Sequence, residues 1–438
     1  MHVAPVNIQA LLINEVIPQL KKWLNSNKKI YINDCGSLTG KINGIILLEP
    51  HLWLEAQKTG KIPKGIPTII DGADELENWT REQLTLSLTP TDWQAQINLA
   101  PPLHQLIQTS YTQLSFSIWQ HPVNPYNCYQ LNPKERDILV DLGYILQKSN
   151  LITPKIAEFW QMWQRENCLA WVSISRSADK FTLHVAPKEL ASSLNKIWQR
   201  QPTVIIGSCL DTETQANTYK QKIGLPDLLS LKFNPDRQQD LINIYLPDAL
   251  PLPNTSQFQP ILVEKIIELV TNYTAKQPII ILVEDTPLKA QVGSILAANF
   301  GSKVQVESQT IAQDGILISG WEFWQKHQQQ ISSPQLLIIA TLPIPSLENP
   351  LVAARVAYYK QHRQDWFRLY LLPSAIKTLQ KSVLPLRESQ GIVAILDNRL
   401  NHRSYGKHML QALQPYRQIF SPLPPWVDQQ LNAVSAQE

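Results

Sequence analysis

The sequence predicts an α/β protein of two lobes with mostly parallel sheets. Three observations carry this expectation. Short runs rich in Val, Ile and Leu recur along the 438 residues. Each is apolar throughout rather than alternating, as strands buried on both faces are. Amphipathic stretches of helical length separate them, as crossover helices do in α/β architecture. The runs fall into two clusters, one ending near residue 75 and resuming at 203, the other from 278 to 397. A lobe boundary is therefore expected near residue 235.

Taken in order, the first cluster opens with "KIYI", "NGIILL" and "PTIIDG". Between the first two runs Gly36, Gly40 and Lys41 imitate a phosphate cradle, whose pattern is G-x-x-x-x-G-K-[ST]. Only three residues separate the glycines, Ile42 stands where the hydroxyl should be, and a strand follows instead of the helix N-terminus that phosphates require. The stretch reads as a Gly-rich turn with Lys41 in solvent. From about 98 to 166 the chain turns mainly helical, an insertion in the first lobe. Asn132-Pro133 before "KERDILVDLGYIL" and Thr153-Pro154 before "KIAEFWQMWQ" pair an N-cap residue with Pro in the first turn, a helix start. "PTVIIGS" completes the first lobe, 1–235. A Pro-rich loop, "LPDALPLPNTSQFQP", then leads into "PIIILVE", "DGILISG", "QLLIIATLP" and "GIVAILD" of a second lobe at 236–425. A polar tail, 426–438, is expected to fray.

Composition narrows the function classes. With 44% hydrophobic and 17% charged residues the chain is ordinary soluble globular protein, and its net charge of +3 includes no polybasic run that would demand nucleic acid. Cys35, Cys128, Cys168 and Cys209 lie far apart with no C-x-x-C pair. That argues against zinc or an iron–sulfur cluster built from neighbouring ligands and for reduced thiols in a cytoplasmic protein. The N-terminus has neither basic region nor cleavage site, and no long apolar window suggests a membrane span. His402 and His408 have the wrong spacing for a metal-binding helix face. The thirteen tryptophans read chiefly as core or interface residues.

In the second half, "LISGWEFWQ", "LLIIATLPIPSLENPLVAARVAYY" and "DWFRLYLLPSAIKTLQKSVLPLRESQGIVAILDNRLNHRSYGKHML" follow one another in the order and spacing of a known module. They resemble the second motor lobe of the DinG/XPD-type superfamily 2 DNA helicases. In the first half, "INGIILLEPHLWLEAQKTGKIPKGIPTIIDGADELENW" resembles that family's segment running into its DEAH box, and "PTVIIGSCLDTETQ" its Ser-Ala-Thr-Leu segment. The resemblance implies two RecA-like motor lobes that hydrolyse ATP with Mg²⁺ and move on DNA, single-stranded where it is bound.

Such a motor needs a phosphate cradle, an Asp for Mg²⁺ beside a Glu for water, and arginines from the facing lobe. The cradle has no counterpart here, and the resemblance places it before Met1. Asp71 matches the Mg²⁺-binding Asp and reads equally as a turn-forming acid at a strand end, but Gly72 stands for the catalytic Glu and Asp74 for the His, with Glu75 out of register. The family's Q-x-x-G-R-x-x-R becomes "QKSVLPLR", keeping Gln380 and Arg387 as candidate nucleotide contacts, Arg387 reading rather more as a structural or salt-bridge residue, while Val383 and Leu384 replace the Gly-Arg pair and Pro385 disturbs the helix expected there. Ser208 and Cys209 replace the Ala-Thr pair. Ser319 and Gly320 match the Thr-Gly that touches the nucleic-acid strand. Phe323 and Trp324 survive from Phe-Trp-Glu-Gly-Val-Asp, read chiefly as core aromatics, with Trp324 also a candidate for lining the strand path. The family's clustered iron–sulfur cysteines have no counterpart, so no cluster is expected.

Three readings follow. The first is a degenerate or truncated helicase that binds DNA and hydrolyses ATP poorly or not at all. The second is an active helicase whose cradle is encoded upstream or supplied in trans. The third is a scaffold using inactive lobes as a protein-binding surface.

Overall fold

The computed structural model describes residues 1–420 except 35, 37–42, 166, 234–238, 249 and 274–276. The glycine loop around Lys41 and the polar tail thus lie outside the described residues. The chain divides into two compact units, Met1–Ser230 with Ser346–Trp366, and Leu231–Pro345 with Phe367–Glu438.

The first unit is built on five parallel strands, β1 (His2–Val3), β2 (Lys29–Ile32), β3 (Gly44–Leu48), β4 (Thr68–Asp71) and β9 (Thr203–Ile206), in the order β2-β3-β1-β4-β9. Their β-branched residues suit a pleated, covered surface. Val3, Ile46, Leu48 and Ile70 form one packed face with Trp53, Leu76, Leu194 and Ile223.

The insertion holds more than helices. β5 (Leu86–Leu88), β6 (Cys128–Gln130), β7 (Cys168–Ser175) and β8 (Lys180–Pro187) form an antiparallel sheet in the order β5-β8-β7-β6. Helices Pro90–Leu99, His104–Trp119, Pro133–Ser149 and Pro154–Trp163 accompany it, and Trp93, Leu114, Leu142, Phe159, Val172 and Leu183 share its core. Asn132 caps its helix as the sequence predicts, accepting from the Glu135 N–H at 2.9 Å while Glu135 reaches back to the Asn132 N–H. Thr153 does not cap with its side chain; its own N–H donates to Gln96 Oε1 at 2.8 Å, tying the helix start to another helix. At Gly143 the ring of Trp160 lies where a β-carbon would meet it at 2.8 Å, so the two helices approach at a residue without a side chain.

Residues 346–366, which the sequence assigns to the second lobe, return to the first unit. Their helix, Pro350–Gln361, is capped by Asn349 and buries Val352, Val356 and Tyr358. Gln130 donates to the Pro350 carbonyl at 2.8 Å, and the Tyr358 hydroxyl donates to Glu189.

The second unit is a seven-stranded, wholly parallel sheet. Its strands are β10 (Ile242–Tyr245), β11 (Ile279–Leu282), β12 (Val304–Val306), β13 (Ile316–Ser319), β14 (Leu336–Ile339), β15 (Ile392–Ile395) and β16 (Tyr416–Ile419), in the order β12-β13-β11-β14-β15-β10-β16. Every residue of β10, β11, β13, β14 and β15 is buried, the outcome expected when helices cover both faces. One face packs on Trp321, Trp324, Ile376 and Leu379, the other on Leu262, Ile266, Val292 and Leu296.

Candidate nucleotide and nucleic-acid sites

In open parallel sheets ligands are met at the carboxyl ends of the strands. In the first unit that end carries Asp71, last residue of β4 and partly exposed. Its Oδ1 accepts from the Gly72 N–H at 2.8 Å, and its Oδ2 lies 3.5 Å from His2 Nε2. Burial pulls the His2 imidazole below its usual range, with Asp71 opposing. Gly72, in the position of the family's catalytic Glu, has φ +70°, a left-handed backbone that disfavours any residue with a β-carbon. A Glu at this position would have to take up that left-handed backbone.

Asp74 is buried against Gly207, where a β-carbon would come within 2.8 Å of its Oδ1. Glu75 is occupied by Asn78 Nδ2 at 2.6 Å. The buried Tyr219 donates to the Ala73 carbonyl at 2.6 Å, and burial together with Asp74 and Glu77 pushes its phenol upward. Glu77 meets Arg81 at 3.1 Å and Arg355 at 3.9 Å. Burial favours the neutral carboxyl, but Lys222, Arg355 and Arg81 outweigh it and hold Glu77 at about 2. This network fastens the turn after β4.

A magnesium ion on a nucleotide takes one or two carboxylates, with water and phosphate completing its shell. Asp71 has the right type and position to be one such ligand. No group of three His, Cys, Asp or Glu converges on a metal site among the described residues, and the chain has no G-x-x-x-x-G-K-[ST] sequence.

In the second unit, Arg387 is buried, and its Nη1 and Nη2 face main chain. It donates to the carbonyls of Asp240 and Leu413 at 2.8 Å each, and to those of Pro415 and Gln414 at 3.3 and 3.4 Å. Leu384, in place of the other arginine, is exposed, and Pro385 sits in the first turn of a separate short helix, Leu384–Ser389. The helix break expected at Pro385 is therefore present. Gln380 donates to the Ala412 carbonyl at 2.8 Å.

Ser319 is buried at the end of β13, its hydroxyl turned to the Gly320 carbonyl at 2.8 Å. The Gly320 N–H donates to Glu307 Oε1 at 3.2 Å, and Glu307 also pairs with Lys289. Trp324 is fully buried, its indole N–H donating to the Ser382 carbonyl at 3.0 Å. As a lining for a strand path Trp324 needs correction, since no base can stack on a ring enclosed on all sides. Gln325, in place of an acid, donates to the Thr378 carbonyl at 3.1 Å.

Sequence reasoning passed over Asp397. Buried after β15, it accepts from the Leu342 N–H at 2.8 Å and from Arg399 Nε at 2.9 Å, joining the loops that leave β14 and β15. An acid ending the apolar run "GIVAILD" was the available signal.

Residues 264–416 match a family described as the helicase C-terminal domain. The ATP-dependent DNA helicase YoaA of Haemophilus influenzae is 25% identical over 252 residues, covering 53% of this chain and 39% of that protein. YoaA of Escherichia coli is 33% identical over 118 residues, 26% of this chain and 19% of that one. The ATP-dependent DNA helicase DinG of Photobacterium profundum is 22% identical over 262 residues, with coverages of 55% and 38%. The chain thus spans less than half the length of these relatives. Among solved structures, apo XPD aligns with a TM-score of 0.58 at 13% identity, over 96% of this chain and 91% of that one. S. tokodaii Xpd4 aligns at 0.54 and 11%, over 92% of each chain. These two show a shared fold, with RecA-like parallel sheets in both units. Residues 264–416 thus match a helicase C-terminal domain, and the chain is similar to the helicases YoaA and DinG and shares its fold with XPD.

Proposed function

We propose that this chain binds nucleic acid, single-stranded DNA foremost, through its helicase lobes and by itself turns over ATP poorly or not at all. The carrying observation is Arg387. It is the arginine retained from the family's nucleotide-facing motif, and its Nη1 and Nη2 donate to four main-chain carbonyls. Gly72 and Leu384, in place of a catalytic Glu and a second arginine, support the same reading, since loss of an arginine finger alone removes about 10³ to 10⁵ in rate. Asp71 would hold Mg²⁺ if a nucleotide were bound beside it. The DNA partner is inferred from the helicase relatives and from lobes that keep the family's packing.

The binding half is tested by titrating the chain with a labelled single-stranded oligonucleotide over a range of salt. The logarithm of affinity should fall linearly with the logarithm of salt, by about 0.7 per phosphate neutralised. Absence of binding at low salt would sink the proposal.

A further inference from the structure

β13 ends at Ser319, and Gly320 follows it, the two residues that the helicase resemblance sets against a nucleic-acid strand. Strand phosphates are held by main-chain N–H groups and by lysine ammonium groups. Here a donor of each kind already holds an anion of the chain itself. The Gly320 N–H donates to Glu307 Oε1 at 3.2 Å, and Lys289 Nζ pairs with the same oxygen. Both lie against the glycine, where a β-carbon would meet Glu307 Oε1 at 3.3 Å and Lys289 Nζ at 3.5 Å. Ser319 is fully buried, and its hydroxyl donates to the Gly320 carbonyl at 2.8 Å.

The placing of Glu307 is specific. It follows β12 directly, and its N–H donates to the Ile318 carbonyl at 3.0 Å, which carries the β12–β13 pairing one residue further and brings its side chain to Gly320. Its φ of +48° is a left-handed backbone, unfavourable for any residue with a β-carbon. Strain of this kind gathers at functional positions. Lys289 comes from another element, the start of the helix Thr286–Phe300, whose cap Asp285 accepts from the Leu288 N–H at 2.7 Å. Burial favours a neutral Glu307 carboxyl, but Lys289 and the Gly320 N–H outweigh it and hold the group below its usual range. At neutral pH the occupant is a carboxylate.

We propose that the Glu307 carboxylate stands in for a strand phosphate, an internal block that keeps Lys289 and the Gly320 N–H from nucleic acid until it is displaced. Carboxylate and phosphate oxygens take the same charge-assisted hydrogen bonds. A tethered carboxylate also competes at a high effective concentration. The inference rests on the nucleic-acid reading and adds a regulation of that binding, so this chain holds a strand more weakly than its second unit would with Glu307 removed.

Titration of the full chain with a labelled single-stranded oligonucleotide over a range of salt tests it. Glu307→Gln removes the charge at nearly constant shape, and Glu307→Gly suits the left-handed backbone, so a folding defect in one is checked by the other. Both should raise affinity at low salt by about tenfold and steepen the salt slope by about 0.7, the effect of one more phosphate neutralised. Lys289→Gln should cancel the gain in the Glu307→Gln background and leave the slope of the parent chain unchanged. The proposal is overturned if both Glu307 variants bind no better than the parent. It is overturned too if Lys289→Gln alone flattens the parent's slope, because the ammonium would then already hold a phosphate. Binding by Glu307→Gln without binding by the parent would refute the nucleic-acid reading of the parent and uphold the block. Equal binding by parent and variants would do the reverse.

Discussion

Arg387 matches a motif residue, and its Nη1 and Nη2 donate to main-chain carbonyls. Charge-assisted hydrogen bonds contribute more than neutral ones, and truncation leaves buried acceptors unpaired. Arg387→Ala should therefore cost about 3 kcal/mol of stability in urea unfolding, with no loss of whatever ATP turnover the chain has. A fall in turnover without a fall in stability would restore Arg387 as a nucleotide contact. Gly72 makes the converse case. Glu placed there must adopt a left-handed backbone, at a cost of about 1 kcal/mol, so Gly72→Glu should lower stability without raising ATP hydrolysis. At this scale the sequence was legible where side-chain type decides the matter, as with Leu384, which cannot donate to a phosphate. It was silent where partners decide, because nothing in "QKSVLPLR" says that its arginine faces carbonyls more than twenty residues away.

The antiparallel sheet of β5 to β8 was not legible as an element. Along β7 buried and partly exposed positions mix, because helices cover one face and the other carries Trp171, Ser173 and His184. Ser173 and Ser175 in β7, and Thr182 and His184 in β8, break the apolar runs of the pair. His184 joins Ser87 and Ser173 across this sheet, its Nδ1 2.8 Å from one hydroxyl and its Nε2 2.7 Å from the other. Burial holds its imidazole at about 4, against about 6.5 for a histidine in the unfolded chain. The folded state therefore favours the neutral ring. This stabilisation is complete above pH 6.5 and is lost as pH falls from 6.5 towards 4. Denaturant unfolding across that window should show stability declining with acid, and His184→Gln should flatten the decline. An unchanged slope in the variant would assign the pH dependence elsewhere. Glu77, held low by its cations, adds a separate loss at lower pH, between its ordinary range and about 2.

For the whole molecule, the two α/β units were legible because their strands announce themselves as apolar runs, those at the centre of the second unit's sheet buried on both faces. The return of residues 346–366 to the first unit was not, since that helix is fixed by contacts such as Gln130 with Pro350 that have no sequence period. Across both units, positions that pack are kept, with Trp324 in the core and five fully buried strands. In the proposed reading, Gly72 and Leu384 replace residues for water and phosphate, Arg387 donates to main chain, and Asp71 alone keeps the type a metal ligand needs. ATP hydrolysis by the purified 438-residue chain, with Mg²⁺ and with and without single-stranded DNA, tests this contrast most directly. We expect turnover at background and no stimulation by DNA, while the same preparation binds the oligonucleotide in a salt-dependent manner. Brisk, DNA-stimulated hydrolysis would contradict it and show that Gly72 and Leu384 do not silence the motor.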